Sequence, residues 1–211
     1  MILGTVHLVI ARWDFFSRLL IEHMAISAIS IFFAMLLGLI LGIYISEHER
    51  SSSAVLAVVN FIYTIPSISL LGFLIPFSGI GNGTAIIALT VYALLPMVRN
   101  THTGLTHIDP AILEAAVGMG STPWQVLYKI KLPLALPVIA AGLRNMAVMT
   151  IALAGIASFI GAGGLGVAIY RGITTNSKEM ILAGSALTAL LAIIVDFLIG
   201  ILEKRATRHY S

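Results

Sequence analysis

Four long stretches of this chain contain no Asp, Glu, Lys or Arg, and they constrain its fold more than any other feature. They cover residues 24–46, 51–98, 145–170 and 180–195. A helix needs about 20 apolar residues to cross the hydrocarbon core of a bilayer, so stretches of this kind indicate membrane spans. The apolar residues run on without strand alternation, which favours helices over a barrel. A charged fraction of 10% and a mean hydropathy of +1.03 agree with an integral membrane protein.

The sequence therefore predicts an all-α polytopic membrane protein, with one transmembrane domain over residues 1–211 and about five spans. We place the spans at residues 20–46, 54–77, 83–104, 134–158 and 180–202. Residues 8–20 are either a short amphipathic helix in the outer interface or a lead-in to the first span. The first eleven residues lack the charged region and the apolar length of a cleavable signal peptide. The absence of cysteine excludes disulfides.

Basic residues indicate which side of the membrane each loop faces. If the loop between spans three and four is cytoplasmic, seven basic residues lie inside or at the inner interface: Arg50, Arg99, Lys129, Lys131, Lys204, Arg205 and Arg208. Four then lie outside: Arg12, Arg18, Arg171 and Lys178. Because Lys-rich and Arg-rich loops stay in the cytoplasm, we predict an outer N-terminus and an inner C-terminus. No basic cluster with interleaved aromatic residues is present, so nucleic acid is not expected as a partner.

The loop of residues 107–133 carries strong helix-start signals. Asp109 followed by proline predicts the start of a first helix, and Gly118 and Gly120 favour its end. Thr122, with proline after it and Gln125 three residues on, predicts a second helix that ends before Leu132-Pro133. We expect two short helices that meet at a glycine bend on the membrane surface. Such a projection suits docking into a groove on another protein, although an ordinary interfacial loop would have the same local signals.

Within this loop, Glu114-Ala115-Ala116, three residues, Gly120, nine residues and then Ile130-x-Leu132-Pro133 follow one another. This spacing resembles the complete signature loop of binding-protein-dependent ABC importer permeases, with no departure at the signature positions. The resemblance implies a type I, methionine-importer-like permease fold. It also implies that the loop couples to a cytoplasmic ATPase through Glu114, Ala115, Ala116, Gly118 and Gly120.

The family resemblance implies further partners and cofactors. A second permease subunit, identical or homologous, would complete the pathway, and an extracellular or lipid-anchored binding protein would deliver the substrate. ATP and Mg would bind the partner ATPase, since this chain has no P-loop. The chain itself would carry no cofactor and would not be an enzyme.

Several segments resemble the osmoprotectant branch of the family, which imports choline, carnitine, glycine betaine or similar quaternary amines. They are residues 64–67, 71–76, 92–96 with 99–101, and 160–166. Permeases for methionine share parts of this layout, so another small solute is the alternative. Only Tyr63, Phe73, Phe77, Tyr92 and Phe159 could form an aromatic cage for a quaternary ammonium, and they are scattered. Recognition is therefore expected mainly in the binding protein.

Two groups of residues are candidates for the pathway and its gate. Pro66 predicts a kink in the second span whose freed carbonyls find hydroxyl partners, with Thr64, Ser67 and Ser69 nearby. A packing kink without substrate contact is the alternative. Gly161, Gly163 and Gly164 belong to a G-x-G-x-x-G sequence, but no strand–helix unit surrounds it, so a dinucleotide site is not expected. A tight turn at the outer mouth of the pathway fits better.

Ionisable residues inside the spans are costly and usually have a partner. Arg144 and Asp196 are predicted at similar depth, so we expect an ion pair that braces spans four and five. A stand-alone secondary transporter would instead need more ionisable residues at mid-membrane and an inverted repeat, and neither is seen.

The six histidines show no metal-ligand spacing, and their positions near span ends predict that they lie in the interface. No metal site is expected.

Overall fold

The computed structural model describes residues 1–207, and that part of the chain is helical without any β-strand. The α-helices in chain order are α1 (Ile2–Ala11), α2 (Trp13–Glu47), α3 (Glu49–Thr64), α4 (Ser67–Ser78), α5 (Asn82–Thr106), α6 (Pro110–Gly118), α7 (Pro123–Val126), α8 (Leu132–Ala154), α9 (Gly166–Thr174) and α10 (Lys178–Thr207). A π-helix (Leu127–Lys131) joins α7 to α8, and a 3-10 helix (Ile156–Ile160) follows α8. Arg208, counted above on the inner side, lies outside the described residues.

Four helical stretches of the described chain are long and apolar enough to cross a membrane: α2, α5, the stretch Pro123–Ala154, and α10. The number becomes five if α3 and α4 together count as one span. The predicted all-α membrane fold is thus confirmed. The second span is the one whose form differs from the prediction.

The second span, predicted over residues 54–77, is broken rather than kinked. α3 and α4 meet at an angle of 98°. Pro66 has no N–H to donate, and it restricts the residue before it to extended backbone. Ile65 accordingly has φ −68° and ψ 127°, which ends α3. Two helices with different directions therefore replace the expected single helix.

The N-terminal segment also differs from expectation, because no single helix covers residues 8–20. The backbone turns at Arg12, with φ −120° and ψ 38°, so α1 ends and α2 begins there. Residues 13–20 are the first turns of the first span, which agrees with the lead-in interpretation for that part. The apolar helix α1, which has no Asp, Glu, Lys or Arg, packs against α10 instead.

A ridge of small residues brings α2 and α5 close together. Ser30, Ala34, Gly38 and Gly42 recur every four residues and are all buried, so they lie on one face of α2. A Cβ atom at Gly38 would lie 2.6 Å from the Cβ of Met97. Such close approach is typical of helix packing in membranes, where small side chains allow extensive van der Waals contact.

Candidate functional site

The loop between α5 and α8 begins with a well-capped helix. The Asp109 carboxylate accepts a hydrogen bond from the Ala111 N–H at 2.9 Å, and Pro110 occupies the first helical position. At the other end, the N–H of Ser121 donates to the carbonyl of Ala116 at 3.1 Å around Gly120. Gly120 has φ +84°, a conformation that L-residues with a side chain rarely adopt. The predicted start of α6 and the glycine bend are therefore both present.

A capping box starts the second helix of the loop. The Gln125 N–H donates to the Thr122 hydroxyl at 3.3 Å, and the Thr122 N–H donates to the Gln125 side-chain oxygen at 2.8 Å. The reciprocal pair satisfies two N–H groups that have no partner within the helix. It fixes the direction in which α7 leaves the glycine bend.

The loop presents an exposed apolar surface. Val117 and Met119 are 61% and 80% exposed, and Glu114 and Ala115 on the same short helix are also exposed. Ala116 is buried, at 1% exposure. Sequence reasoning placed Glu114, Ala115, Ala116, Gly118 and Gly120 in one docking element, and the structure places all five on α6 or in the bend directly after it.

The second helix of the loop does not end before Leu132-Pro133, contrary to the sequence-based expectation. α7, the π-helix and α8 form one helical stretch from Pro123 to Ala154, 32 residues long. Pro133 lacks an N–H, and in a regular α-helix its ring would meet the carbonyl of Lys129. The preceding turn is instead widened, with the Leu132 N–H donating to Leu127 five residues back. The proline therefore widens the helix without breaking it.

An ion pair holds this junction against the first span. The Lys131 ammonium lies 2.7 Å from the Glu47 carboxylate at the end of α2. The Trp124 and Tyr128 rings stack nearby with centroids 5.7 Å apart, and both residues are more than 60% exposed. Aromatic residues of this kind are typical of a membrane–water interface.

The break between α3 and α4 lies beside the middle of α5. The Tyr92 hydroxyl donates to the carbonyl of Ile65. Tyr92 is the eleventh residue of α5, so it lies ~15 Å from the start of that helix and ~21 Å from its end. Because the hydrocarbon core is about 30 Å thick, the break lies near mid-membrane depth.

Hydroxyl groups satisfy the freed carbonyls at the break, but not in the way the sequence indicated. Thr64 donates to the carbonyl of Phe61 at 2.7 Å, whereas the carbonyl of Ile65 is satisfied from another helix by Tyr92. Thr64, Pro66 and Ser69 are exposed and Ser67 is half-buried. This capping role of Tyr92 was not predicted from the sequence, since the residue is 27 positions from Ile65.

Two of the candidate aromatic residues meet at the break. The Tyr63 and Tyr92 rings form an edge-to-face pair with centroids 6.0 Å apart. The Tyr63 hydroxyl donates to the sulfur of Met149 on α8 at 3.3 Å. Tyr63 is 43% exposed, so part of its ring is available beside the exposed hydroxyls. Phe73 and Phe77 form a separate pair on α4, 5.5 Å apart.

The glycine-rich segment forms a turn between the 3-10 helix and α9. Gly161 and Gly164 have φ +74° and +92°, which explains glycine at both positions. The N–H groups of Gly163, Gly164 and Leu165 donate in turn to Asn82 Oδ1 at 2.7 Å, Glu22 Oε2 at 3.2 Å and His23 Nδ1 at 3.2 Å. Two other helices thus hold three consecutive amides of this turn.

His23 was expected in the interface and is instead fully buried, with 0% exposure. Its Nε2 lies 3.0 Å from the carbonyl of Ile151 on α8. Because Nδ1 accepts from Leu165, Nε2 carries the proton and donates to Ile151, and the ring is neutral. The local sequence did not predict this role, because both partners are more than 120 positions away. Within the described chain, no three His, Asp or Glu side chains are grouped as metal ligands.

Arg144 and Asp196 lie together between α8 and α10. Arg144 Nε and Nη2 donate to the two Asp196 oxygens at 2.9 and 2.8 Å. Glu203 accepts from Arg144 Nη1 at 3.3 Å, a partner that the sequence analysis did not include. A Cβ atom at Gly200 would lie only 3.3 Å from Arg144 Cζ, so glycine leaves room for the guanidinium.

Comparisons with known proteins agree with this architecture. Residues 34–208 match the family described as binding-protein-dependent transport system inner membrane component. The chain is 46% identical over 184 residues to the glycine betaine/carnitine/choline transport system permease protein OpuCD of Bacillus subtilis (strain 168), covering 87% of this chain and 80% of the relative. It is 44% identical over 184 residues to the carnitine transport permease protein OpuCD of Listeria monocytogenes serotype 1/2a (strain 10403S), covering 87% and 82%.

A solved structure has the same fold. The chain is similar to the inward-facing MetNI methionine ABC transporter in its CY5 native crystal form, with a TM-score of 0.79 and 28% sequence identity. The similarity covers 94% of this chain and 97% of that one.

Proposed function

The chain belongs to the family of binding-protein-dependent transport system inner membrane components, and from this premise we propose that it is the permease subunit of an ATP-driven importer of quaternary amines. Glycine betaine, carnitine and choline are the proposed substrates, because the relatives at 46% and 44% identity are named as permeases for them. The methionine importer is less similar, at 28% identity. Methionine is therefore the alternative substrate.

The exposed helix α6 is the observation that carries the coupling part of the proposal. We propose that Glu114, Ala115, Gly118 and Gly120, which are exposed, dock into a cytoplasmic ATPase subunit. Ala116 is buried within this chain and would support the loop from its inner side. Asp109 and Thr122 cap the two helices of the loop, and Gly120 sets the bend between them. The loop therefore has a defined shape, and little conformational entropy would be lost when the ATPase binds.

The continuous stretch from Pro123 to Ala154 supports a direct route from the loop to the membrane. At 1.5 Å per residue its 32 residues extend over ~48 Å. A displacement of the loop would therefore move α8 as a lever. ATP binding would close two ATPase subunits, draw the loops of two permease subunits together and turn the pathway outward. ATP and Mg belong to the ATPase in this scheme, and this chain binds neither.

We place the pathway at the face that carries the break between α3 and α4. Irregular backbone at mid-membrane depth is tolerated where it is buried in protein or lines a water-filled cavity. Thr64, Pro66, Ser67 and Ser69 would line this cavity, and a second permease subunit, identical or homologous, would form its other wall. The turn of Gly161, Gly163 and Gly164 would lie at the outer mouth, beneath the binding protein.

This arrangement fits one transmembrane domain in the cell membrane, with the N-terminus outside and the C-terminus inside. Residues 1–11 and the connection between α9 and α10 would then lie on the outer side. The loop of residues 107–133 would lie in the cytoplasm, where the ATPase is. Arg144 and Asp196 would brace α8 against α10 and would not relay protons, since the only other ionisable partner described there is Glu203.

ATPase activity of the chain co-purified with its candidate ATPase tests the proposal. We expect stimulation by a binding protein loaded with glycine betaine, carnitine or choline, and loss of stimulation in Glu114→Ala and Gly120→Trp. Ser185→Ala, a change at an exposed position of α10, is the matched control. Normal coupling in both loop variants, or solute movement without any ATPase, would contradict the importer assignment and favour a stand-alone carrier. If only a binding protein loaded with methionine stimulates the ATPase activity, methionine is the substrate instead of a quaternary amine.

A further inference from the structure

We propose that Glu22, His23 and Asn82 are positioning residues that hold the turn of Gly163–Leu165 in one conformation and connect it to α8. Through this clamp, contact of a loaded binding protein with the turn would reach the helix that begins at the cytoplasmic loop. The clamp itself consists of hydrogen bonds that the structure contains. Its role in transport rests on the proposed function.

The clamp meets the hydrogen-bonding needs of three consecutive backbone amides. Gly163, Gly164 and Leu165 each point an N–H at a side chain of α2 or α5, at 2.7 to 3.2 Å. Successive N–H groups of a turn that point in one direction form a concave donor site. Here that site is filled by acceptors of the same chain. Loss of the His23 acceptor would leave the buried Leu165 N–H unpaired, and loss of the Glu22 acceptor would do the same to the part-buried Gly164 N–H. An unpaired buried donor favours another backbone conformation.

The glycines of the turn leave the space that these acceptor side chains occupy. A side chain at Gly163 would collide with the Glu22 carboxylate. A Cβ atom at Gly164 would lie 2.9 Å from His23 Nδ1, and that residue also has φ +92°. The acceptors reach the backbone only because both residues lack a side chain. The glycine sequence and the polar pair on α2 therefore form one unit, although 142 positions separate Glu22 from Gly164.

His23 connects this unit to α8. The neutral ring accepts from Leu165 on one side and donates to the Ile151 carbonyl on the other, so a single buried side chain joins the turn to α8. Thr150 and Ile151 lie near the outer end of the stretch that starts at Pro123 beside the coupling loop. A second tie, from the Gly81 N–H to the carbonyl of Ile160 at 3.1 Å, fixes the base of the turn to the start of α5. A movement of the turn would therefore reach α8 through the His23 ring.

Two matched pairs of variants test the clamp. His23→Leu removes both hydrogen bonds at similar volume, whereas His23→Asn keeps an acceptor near the position of Nδ1. Glu22→Ala removes the acceptor for Gly164, whereas Glu22→Gln keeps a neutral one. The wild type and all four variants are co-purified with the ATPase in lipid nanodiscs. Basal ATPase activity is measured first, and then stimulation by increasing concentrations of a binding protein loaded with glycine betaine.

We expect His23→Leu and Glu22→Ala to retain basal activity and to need a roughly tenfold higher concentration of binding protein for half-maximal stimulation, which is typical of one coupling interaction. His23→Asn and Glu22→Gln should recover most of this loss. Hydrogen exchange of peptides covering residues 158–168 should be faster in His23→Leu and Glu22→Ala than in the wild type, with or without the binding protein.

Unchanged exchange and unchanged dependence on the binding protein in His23→Leu and Glu22→Ala would overturn the inference. So would an equal loss of basal and stimulated activity that Asn and Gln do not recover, because that pattern indicates a merely structural role. If His23→Leu does not assemble, the Glu22 pair decides. A wild type that no binding protein stimulates would contradict the proposed function, whereas the exchange measurement would still test the clamp itself.

Discussion

Arg144 on α8 and Asp196 on α10 face each other with two parallel hydrogen bonds, at 2.9 and 2.8 Å. This bidentate geometry fixes both the distance and the rotation of the two helices at one depth. Glu203, about two helical turns further along α10, accepts from Nη1 of the same guanidinium. One cation therefore lies between two carboxylates, and its removal would take from Asp196 the partner of both its oxygens.

The first prediction concerns this cluster. Arg144→Met should lower the thermal unfolding temperature in detergent more than Arg144→Met combined with Asp196→Leu, because the single change takes away the guanidinium that pairs with both Asp196 oxygens. The unfolding temperature of each variant is measured by intrinsic fluorescence, with Ser185→Ala as the control. A double variant that is no more stable than Arg144→Met would show that the lost partner of Asp196 is not the cause.

The second prediction concerns the ridge between α2 and α5. Gly38→Ala places a methyl group 2.6 Å from the Met97 Cβ, so the helices must move apart or Met97 must change rotamer. We expect a loss of about 1–3 kcal/mol in the free energy of unfolding, the usual cost of overpacking. Gly72→Ala on α4 is the matched control, because no atom lies within 4 Å of the added methyl group. Equal stability of Gly38→Ala and wild type would contradict this close packing.

The third prediction concerns the break at mid-membrane depth. Tyr92→Phe removes the hydroxyl that donates to the Ile65 carbonyl and leaves that carbonyl unpaired beside the break. Leaving a fully buried acceptor unpaired costs about 1–3 kcal/mol. Because this contact is part-buried, we expect a loss of stability at the lower end, about 1 kcal/mol, in urea or SDS unfolding. Tyr128→Phe, at a residue that is 61% exposed, should have little effect. The same loss in both variants would mean that the Ile65 contact is not responsible.

The fourth prediction concerns orientation, and the cysteine-free sequence makes its test direct. Met119 projects from the loop between α6 and α7, and Thr175 lies exposed between α9 and α10. In cells that express the chain alone, a membrane-impermeant maleimide should label Thr175→Cys without treatment and Met119→Cys only after permeabilisation. The opposite pattern would reverse the proposed orientation, whereas labelling of both residues in intact cells would place both loops outside.

Several elements of this molecule follow from local sequence. The charge-free stretches at 24–46 and 180–195 lie within α2 and α10, because a helix in lipid is selected by the hydropathy of its own residues. Asp109-Pro110 and Thr122-Pro123 start helices at those residues, because capping involves groups only two or three positions apart. The pairing of Arg144 with Asp196 was also predictable, since two charges at equal depth in adjacent spans have few other partners.

The remaining features depend on residues that are distant in sequence. Pro66 predicts an interruption, but the partner of the freed Ile65 carbonyl is Tyr92 of another helix. Leu132-Pro133 predicts a helix end, yet the packed stretch continues through a widened turn because tertiary contacts outweigh the local cost of proline. His23 has no local signal at all, since its partners Ile151 and Leu165 are 128 and 142 positions away. The sequence by itself determined which segments enter the membrane and where the loop helices begin. Only the tertiary structure decided how backbone groups freed by proline and glycine find partners, because those partners come from other helices.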